Sequence, residues 1–202
     1  MEDLHRQLDS PSVTVILADS QGGILRAIGA GRAAPRHAAL RPSVPVAAGA
    51  CGIGIAVPIL PPDGGLLGFI DADVARLEWL THANALVQTA ARIIEHRLIE
   101  SDPQGFLLLR FHRYPAVLGS PLEALTLFDA DGGLLAANRV AHELLAPGPQ
   151  AAIEAAPRCF ATQWCGIVGY AALGLRQPFT LRDRRGRDYT AQASLRRRPH
   201  DD

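Results

Sequence analysis

Apolar positions along this chain come in short runs separated by Gly-rich steps. Asp63-Gly-Gly-Leu-Leu67 is repeated letter for letter as Asp131-Gly-Gly-Leu-Leu135, with a looser copy at Asp19-Ser-Gln-Gly-Gly-Ile-Leu25. Each copy lies between two apolar runs. Hairpin turns need backbone with positive φ, which glycine adopts without steric cost. The pattern therefore predicts hairpins pairing Val13–Ala18 with Ile24–Ile28, Ile55–Leu60 with Leu66–Asp71, and Ala124–Phe128 with Leu134–Ala137. A fourth pairs Phe179–Arg182 with Asp188–Leu195 and turns at Arg184-Arg-Gly-Arg187. Hairpins with helices between them predict an α+β fold with antiparallel sheets.

From Asp73 to Ser101 the period changes. Apolar or small residues fall at Leu77, Leu80, Asn84, Val87, Ala91, Ile94 and Leu98, in alternating steps of three and four as in a heptad seam. A helix of that length rises roughly 40 Å, long for one small domain. It is expected to cover its own sheet. Leu86, Ala90 and Ile93 widen the stripe enough for the same helix to pair with a second copy. Pro103 ends it. A connector, 102–116, holds Leu107-Leu-Leu-Arg-Phe-His-Arg-Tyr-Pro115. A second unit, 117–198, then contains a short helix at about Asn138–Leu145 and another over Arg158–Leu173, with Phe160, Trp164, Ile167 and Val168 on one face.

Composition narrows the chemistry. Of 202 residues, 20 are basic and 20 acidic, and every basic one is Arg. Without Lys there is no P-loop, no kinase lysine and no Schiff base. Zero net charge gives no global reason to expect nucleic-acid binding. No apolar run is long enough for a membrane span, and the acidic start lacks a signal core, so a cytoplasmic setting is expected. The apolar fraction of 48% is ample for a packed core.

Candidate sites are few. Gly49-Ala-Cys-Gly-Ile-Gly54 runs into a strand and Pro58 rather than a helix, so it is not read as a nucleotide loop. Cys51 within it is expected to be a packing residue, and is the only starting point for a Cys-dependent enzyme. Cys159 and Cys165 would lie about 600° apart on a helix, so they are expected to be small buried hydrophobes rather than joint metal ligands. No HExxH is present, and no metal or cofactor is expected. Arg176–Arg198 holds eight Arg and two Asp. A solvated edge is the expected role, with contact to phosphate or an acidic partner as the alternative.

Three stretches carry a resemblance: Ala91-Arg-Ile-Ile-Glu-His-Arg-Leu98, Leu109-Arg-Phe-His-Arg-Tyr-Pro115, and Leu127-Phe-Asp-Ala-Asp-Gly-Gly-Leu-Leu-Ala-Ala-Asn-Arg139. Together they resemble the sensory region of sigma-54-dependent transcriptional activators of the acetoin-catabolism type. In that family a GAF domain ends in such a helix, and an LRFH-x-x-P connector leads into a PAS-like domain opening with a hairpin. The resemblance implies a shortened GAF-like sheet domain over 1–101, with only about Gly29 to Ala50 where the family has its pocket cover, and a PAS-like domain over 117–198. Family activators continue into an ATPase module and a helix-turn-helix. The expectation for this chain is a stand-alone regulatory or protein-interaction module without either.

Such a module is expected to form a homodimer, or a heterodimer with a related regulator, through Leu77, Leu80, Val87, Ala91, Ile94 and Leu98. A small-molecule ligand would sit in the PAS-like unit, lined by Leu127, Leu135, Leu144, Phe160, Trp164, Ile167 and Phe179, residues that serve equally well as core. A structural accessory subunit without sensing is the alternative.

Overall fold

A computed structural model describes residues 14–29, 53–61, 65–74, 78, 80–145, 156–174 and 177–196. The chain divides into two compact units, Met1–Glu95 and His96–Asp202. Among the described residues the architecture is α+β, with one antiparallel sheet in each unit.

In the first unit the strands are β1 (Thr14–Asp19), β2 (Ile24–Ile28), β3 (Ile53–Ile59) and β4 (Gly68–Val74), in the spatial order β2-β1-β4-β3. Both expected hairpins are present, each with boundaries shifted by a residue or more. Long central strands win where apolar residues fill both faces: β4 is buried at Gly68 to Asp71 and again at Ala72 and Val74. This strand corrects the expected helix start. Asp73 pairs with Thr14 on one side and Gly54 on the other, because ladder bonds on both edges outweigh the helical period. The helix, α1, is Leu80–Ser101.

The second unit contains β5 (Leu107–His112), β6 (Ala124–Phe128), β7 (Leu134–Ala137), β8 (Phe179–Arg182) and β9 (Asp188–Leu195), ordered β7-β6-β5-β9-β8. The stretch expected to be a connector is thus the central strand. Leu107, Leu109 and Phe111 alternate with Leu108 and Arg110, and both sets are covered. A run that apolar on both faces needs strands on each side, and β6 and β9 supply them.

Among the described residues three helices lie between β7 and β8: α2 (Arg139–Leu145), α3 (Ala156–Cys159) and α4 (Trp164–Ala172). The single helix expected over Arg158–Leu173 is therefore two. Phe160 bridges to Asp183, and the Ala161 N–H donates to the Arg182 carbonyl at 2.9 Å, so the chain leaves helical geometry to dock on the end of β8.

One turn recurs in both units. Asp19, Asp129 and Asp183 each begin an Asp-x-x-Gly-x turn. In each, one carboxylate oxygen accepts the N–H groups two and four residues on, at 2.7 to 2.9 Å. The fourth residue (Gly22, Gly132 or Gly186) has φ of 84°, 83° or 78°, a conformation that favours glycine. The letter-for-letter repeat misplaces the anchor, which is Asp129 rather than Asp131. The looser copy at Asp19 and the Arg-rich turn at Asp183 are the true equivalents.

Candidate functional site

The second sheet has two different faces. On one, Leu107, Leu109, Phe111 and Phe128 pack with α2, α3 and α4. On the other, Leu108, Leu125, Leu127 and Ala136 pack with Ile99 of α1. The seven residues expected to line a pocket divide between them. Leu144, Phe160, Trp164, Ile167 and Phe179 belong to the first face, whereas Leu127 and Leu135 belong to the second. Strand alternation is the reason: Phe128, not Leu127, points toward the helices.

Aromatic rings pack closely on the first face. Phe111 meets Phe160 and Tyr189 edge-on at centroid distances of 5.7 and 5.5 Å. Phe160 and Ile167 are buried, and Tyr170 stacks on Phe179 at 4.3 Å. The Trp164 indole donates to the Ala130 carbonyl at 3.1 Å.

Along α1, Val87 and Ala91 are buried, Leu80, Ile94 and Leu98 are half-buried, and Ile93 is exposed. Leu77 lies outside the described residues, as does Cys51. Val87 and Ala91 thus face the chain's own interior, and the side left open is the one carrying Ile93.

The residues that sequence reasoning missed are ionic. His96 and Glu100 on α1, Arg110 on β5 and Glu123 just before β6 form a network on the Ile99 face. Arg110 donates through Nη1 to Glu123 Oε1 and through Nη2 to Glu100 Oε1. The Gly119 N–H donates to Glu123 Oε2 at 2.6 Å, and His96 Nε2 lies 3.3 Å from Glu123 Oε1 and 3.2 Å from Arg110 Nη1.

Glu123 is fully buried. Burial pushes its carboxyl up, but hydrogen bonds from His96 and the Gly119 N–H, with the charge and hydrogen bond of Arg110, hold it below the ordinary value. Burial also raises Glu100, and Arg110, His96 and Arg97 together bring it below its ordinary value. Burial works against the Arg110 cation, and the two carboxylates outweigh it. A pattern signal existed: a lone Arg in an apolar strand, opposite Leu125, must find buried carboxylates.

A second polar knot closes the last hairpin. Arg187 Nε donates to Asp183 Oδ2 at 2.6 Å and its Nη2 to the Leu144 carbonyl at 2.7 Å, and the Tyr189 hydroxyl donates to Asp183 Oδ2 at 3.2 Å. Arg182 forms a paired contact with Asp188 at 2.6 and 2.7 Å. Both Asp of this Arg-rich stretch are thereby paired, Asp188 with Arg182 and Asp183 with Arg187.

In the first unit, cross-strand register puts Thr14, Asp71 and Asp73 on one sheet face, Thr14 opposite Asp73 and Ile16 opposite Asp71. Thr14 and Asp71 are buried. Residues 30–52, which include the shortened cover, lie outside the described residues. Cys165, expected to be buried, is exposed, and Cys159 is half-buried. The correction follows from the break before α4, which turns Cys165 outward in its first turn. Among the described residues no three His, Cys, Asp or Glu side chains converge as a metal site, and no helix is long and apolar enough to cross a membrane.

No protein-family model matches the chain, and no curated protein matches it in sequence. Among solved structures, the E. coli DhaR(N)-DhaL complex is similar at a TM-score of 0.30 and 12% identity, over 97% of this chain and 83% of that chain. A TM-score of that size does not establish a shared fold.

Proposed function

We propose that the chain is a non-enzymatic regulatory or protein-interaction module that dimerises along α1 and acts on transcription through a partner protein. In this reading the first unit is a shortened GAF-like domain and the second a PAS-like domain. The observation that carries it is the surplus of apolar surface on α1. Ala83, Val87 and Ala91 already serve the interior, yet Ile93 is 42% exposed and Leu80, Ile94 and Leu98 are half-buried. A helix apolar beyond its own packing face has surface left for a second helix.

Sedimentation velocity over a wide concentration range tests this. A reversible dimer is expected, converted to monomer by Ile93→Glu. A concentration-independent monomer overturns the dimer. Native mass spectrometry of protein from its own host then reads out bound partner or ligand.

The edge-on packing of Phe111 against Phe160 and Tyr189 supports one second reading, an accessory subunit with no small-molecule sensing. A heteromeric complex carrying no ligand would support it.

A further inference from the structure

We propose that the last six residues of α1, 96–101, form a releasable latch on the second sheet, poised to detach without unfolding the sheet beneath. The latch is read from how the polar groups divide. Glu123, the fully buried carboxylate, keeps two partners that belong to the sheet side: Arg110 Nη1 and the Gly119 N–H. Detaching α1 therefore leaves no buried charge alone, the situation that makes broken ion pairs costly.

The groups that α1 brings are different. The Glu100 side chain is 22% exposed and already reaches water on one side, where Arg97 also pairs with it at 3.0 Å. Arg196 Nη1 donates to the Ile99 carbonyl at 3.3 Å from a half-buried position at the end of β9. Water can replace each of these contacts.

His96 goes further. It is buried, its Nε2 lies among Arg110, Glu100 and Glu123, and its Nδ1 meets no hydrogen-bonding group. In either tautomer that nitrogen is left unsatisfied when docked and is hydrated when released. Release thus hydrates that nitrogen and gives up the hydrogen bond from His96 to Glu123, so docking gains less from this side chain than a fully satisfied imidazole would give. Among the described residues the apolar anchor of this segment is Ile99, in contact with the cluster of Leu108, Leu125 and Leu127. One apolar anchor among the described residues, an ion pair that reaches water on one side and an imidazole nitrogen without a partner describe an element at the low-stability end of a fold. Released, it uncovers an apolar strip of the sheet.

Hydrogen exchange of the intact chain, read by mass spectrometry, tests this independently of any partner. Two substitutions weaken only the α1 side: Glu100→Gln, which removes the ion pair to Arg110, and Ile99→Ala, which removes the apolar contact with the sheet. Under either one, amides of 96–101 are expected to exchange about tenfold faster, with β5, β6 and β9 unchanged. No change at 96–101 under both substitutions overturns the latch. So does acceleration shared equally by β5, β6 and β9, which would make the helix end part of one cooperative unit. The result leaves the dimer question untouched, because sedimentation reads that separately.

Discussion

At the scale of single residues, buried polar groups decide most. Arg110 is the hinge of its network, since it alone neutralises Glu123 from within the sheet. Arg110→Met strands a fully buried carboxylate and is expected to cost about 3–5 kcal/mol, measured as a lower urea midpoint with unchanged slope. Asn138 has a comparable role at the start of α2. Its Oδ1 accepts from the Leu125 and Ala141 N–H groups and its Nδ2 donates to the Glu123 carbonyl, all within 2.8 to 3.0 Å. Asn138→Ala removes a helix cap and leaves a buried strand N–H bare, for about 2–3 kcal/mol. The three turns differ at their fifth residue, which is glycine at Gly23 and Gly133 and arginine at Arg187. A Cβ at Gly133 would land on the Asp129 carboxylate. At the equivalent Arg187 the guanidinium holds Asp183 Oδ2 instead. Gly133→Ala is expected to destabilise by about 1 kcal/mol, and equal thermal midpoints would refute that account.

At the scale of elements, context overrode period twice. The three-four spacing identified α1 but ran it back through Asp73, where two neighbouring strands claim the backbone. The segment Leu107–His112 reads as linker beside Pro103 and Pro115, yet its alternation of apolar residues is that of a central strand. The break between α3 and α4 has a local cause, since Phe160 and Ala161 bond to β8. The entry to α4 is then pinned by Trp164, whose ring meets Phe128 at 5.5 Å. Trp164→Phe keeps the ring contact and loses the indole donor, for an expected cost of about 1 kcal/mol by urea titration.

At the scale of the whole molecule, acid stability follows from the carboxylates. Glu100, Glu123 and Asp183 are all held below their ordinary values of 4.5, 4.5 and 3.8. For Asp183, burial acts upward, and the Arg187 N–H and guanidinium with the Arg185 N–H outweigh it. A group whose folded pKa is depressed contributes stability that is complete above its unfolded value and is lost as pH falls through the folded one. Burial also holds the His142 imidazole below its ordinary 6.5, so the urea midpoint is expected to fall slightly from pH 7 toward pH 5 and to drop further below about pH 4. A midpoint unchanged at pH 3 would show that these ion pairs contribute nothing net.

The sequence by itself determined the class and the hairpins. Glycine punctuation and alternation are local signals, and β6, β7, β8 and β9 fall where the pattern puts them. The tertiary structure alone decided which face each residue serves. Leu127 and Phe128 are equally apolar neighbours, and only strand pairing assigns one to α1 and the other to α4. It also decided the Arg110 network, whose members His96, Glu100, Arg110 and Glu123 are spread along the chain. Their spacing carries no period, because what assembles them is the need of buried charge for opposite charge, and that need is met in space rather than in sequence.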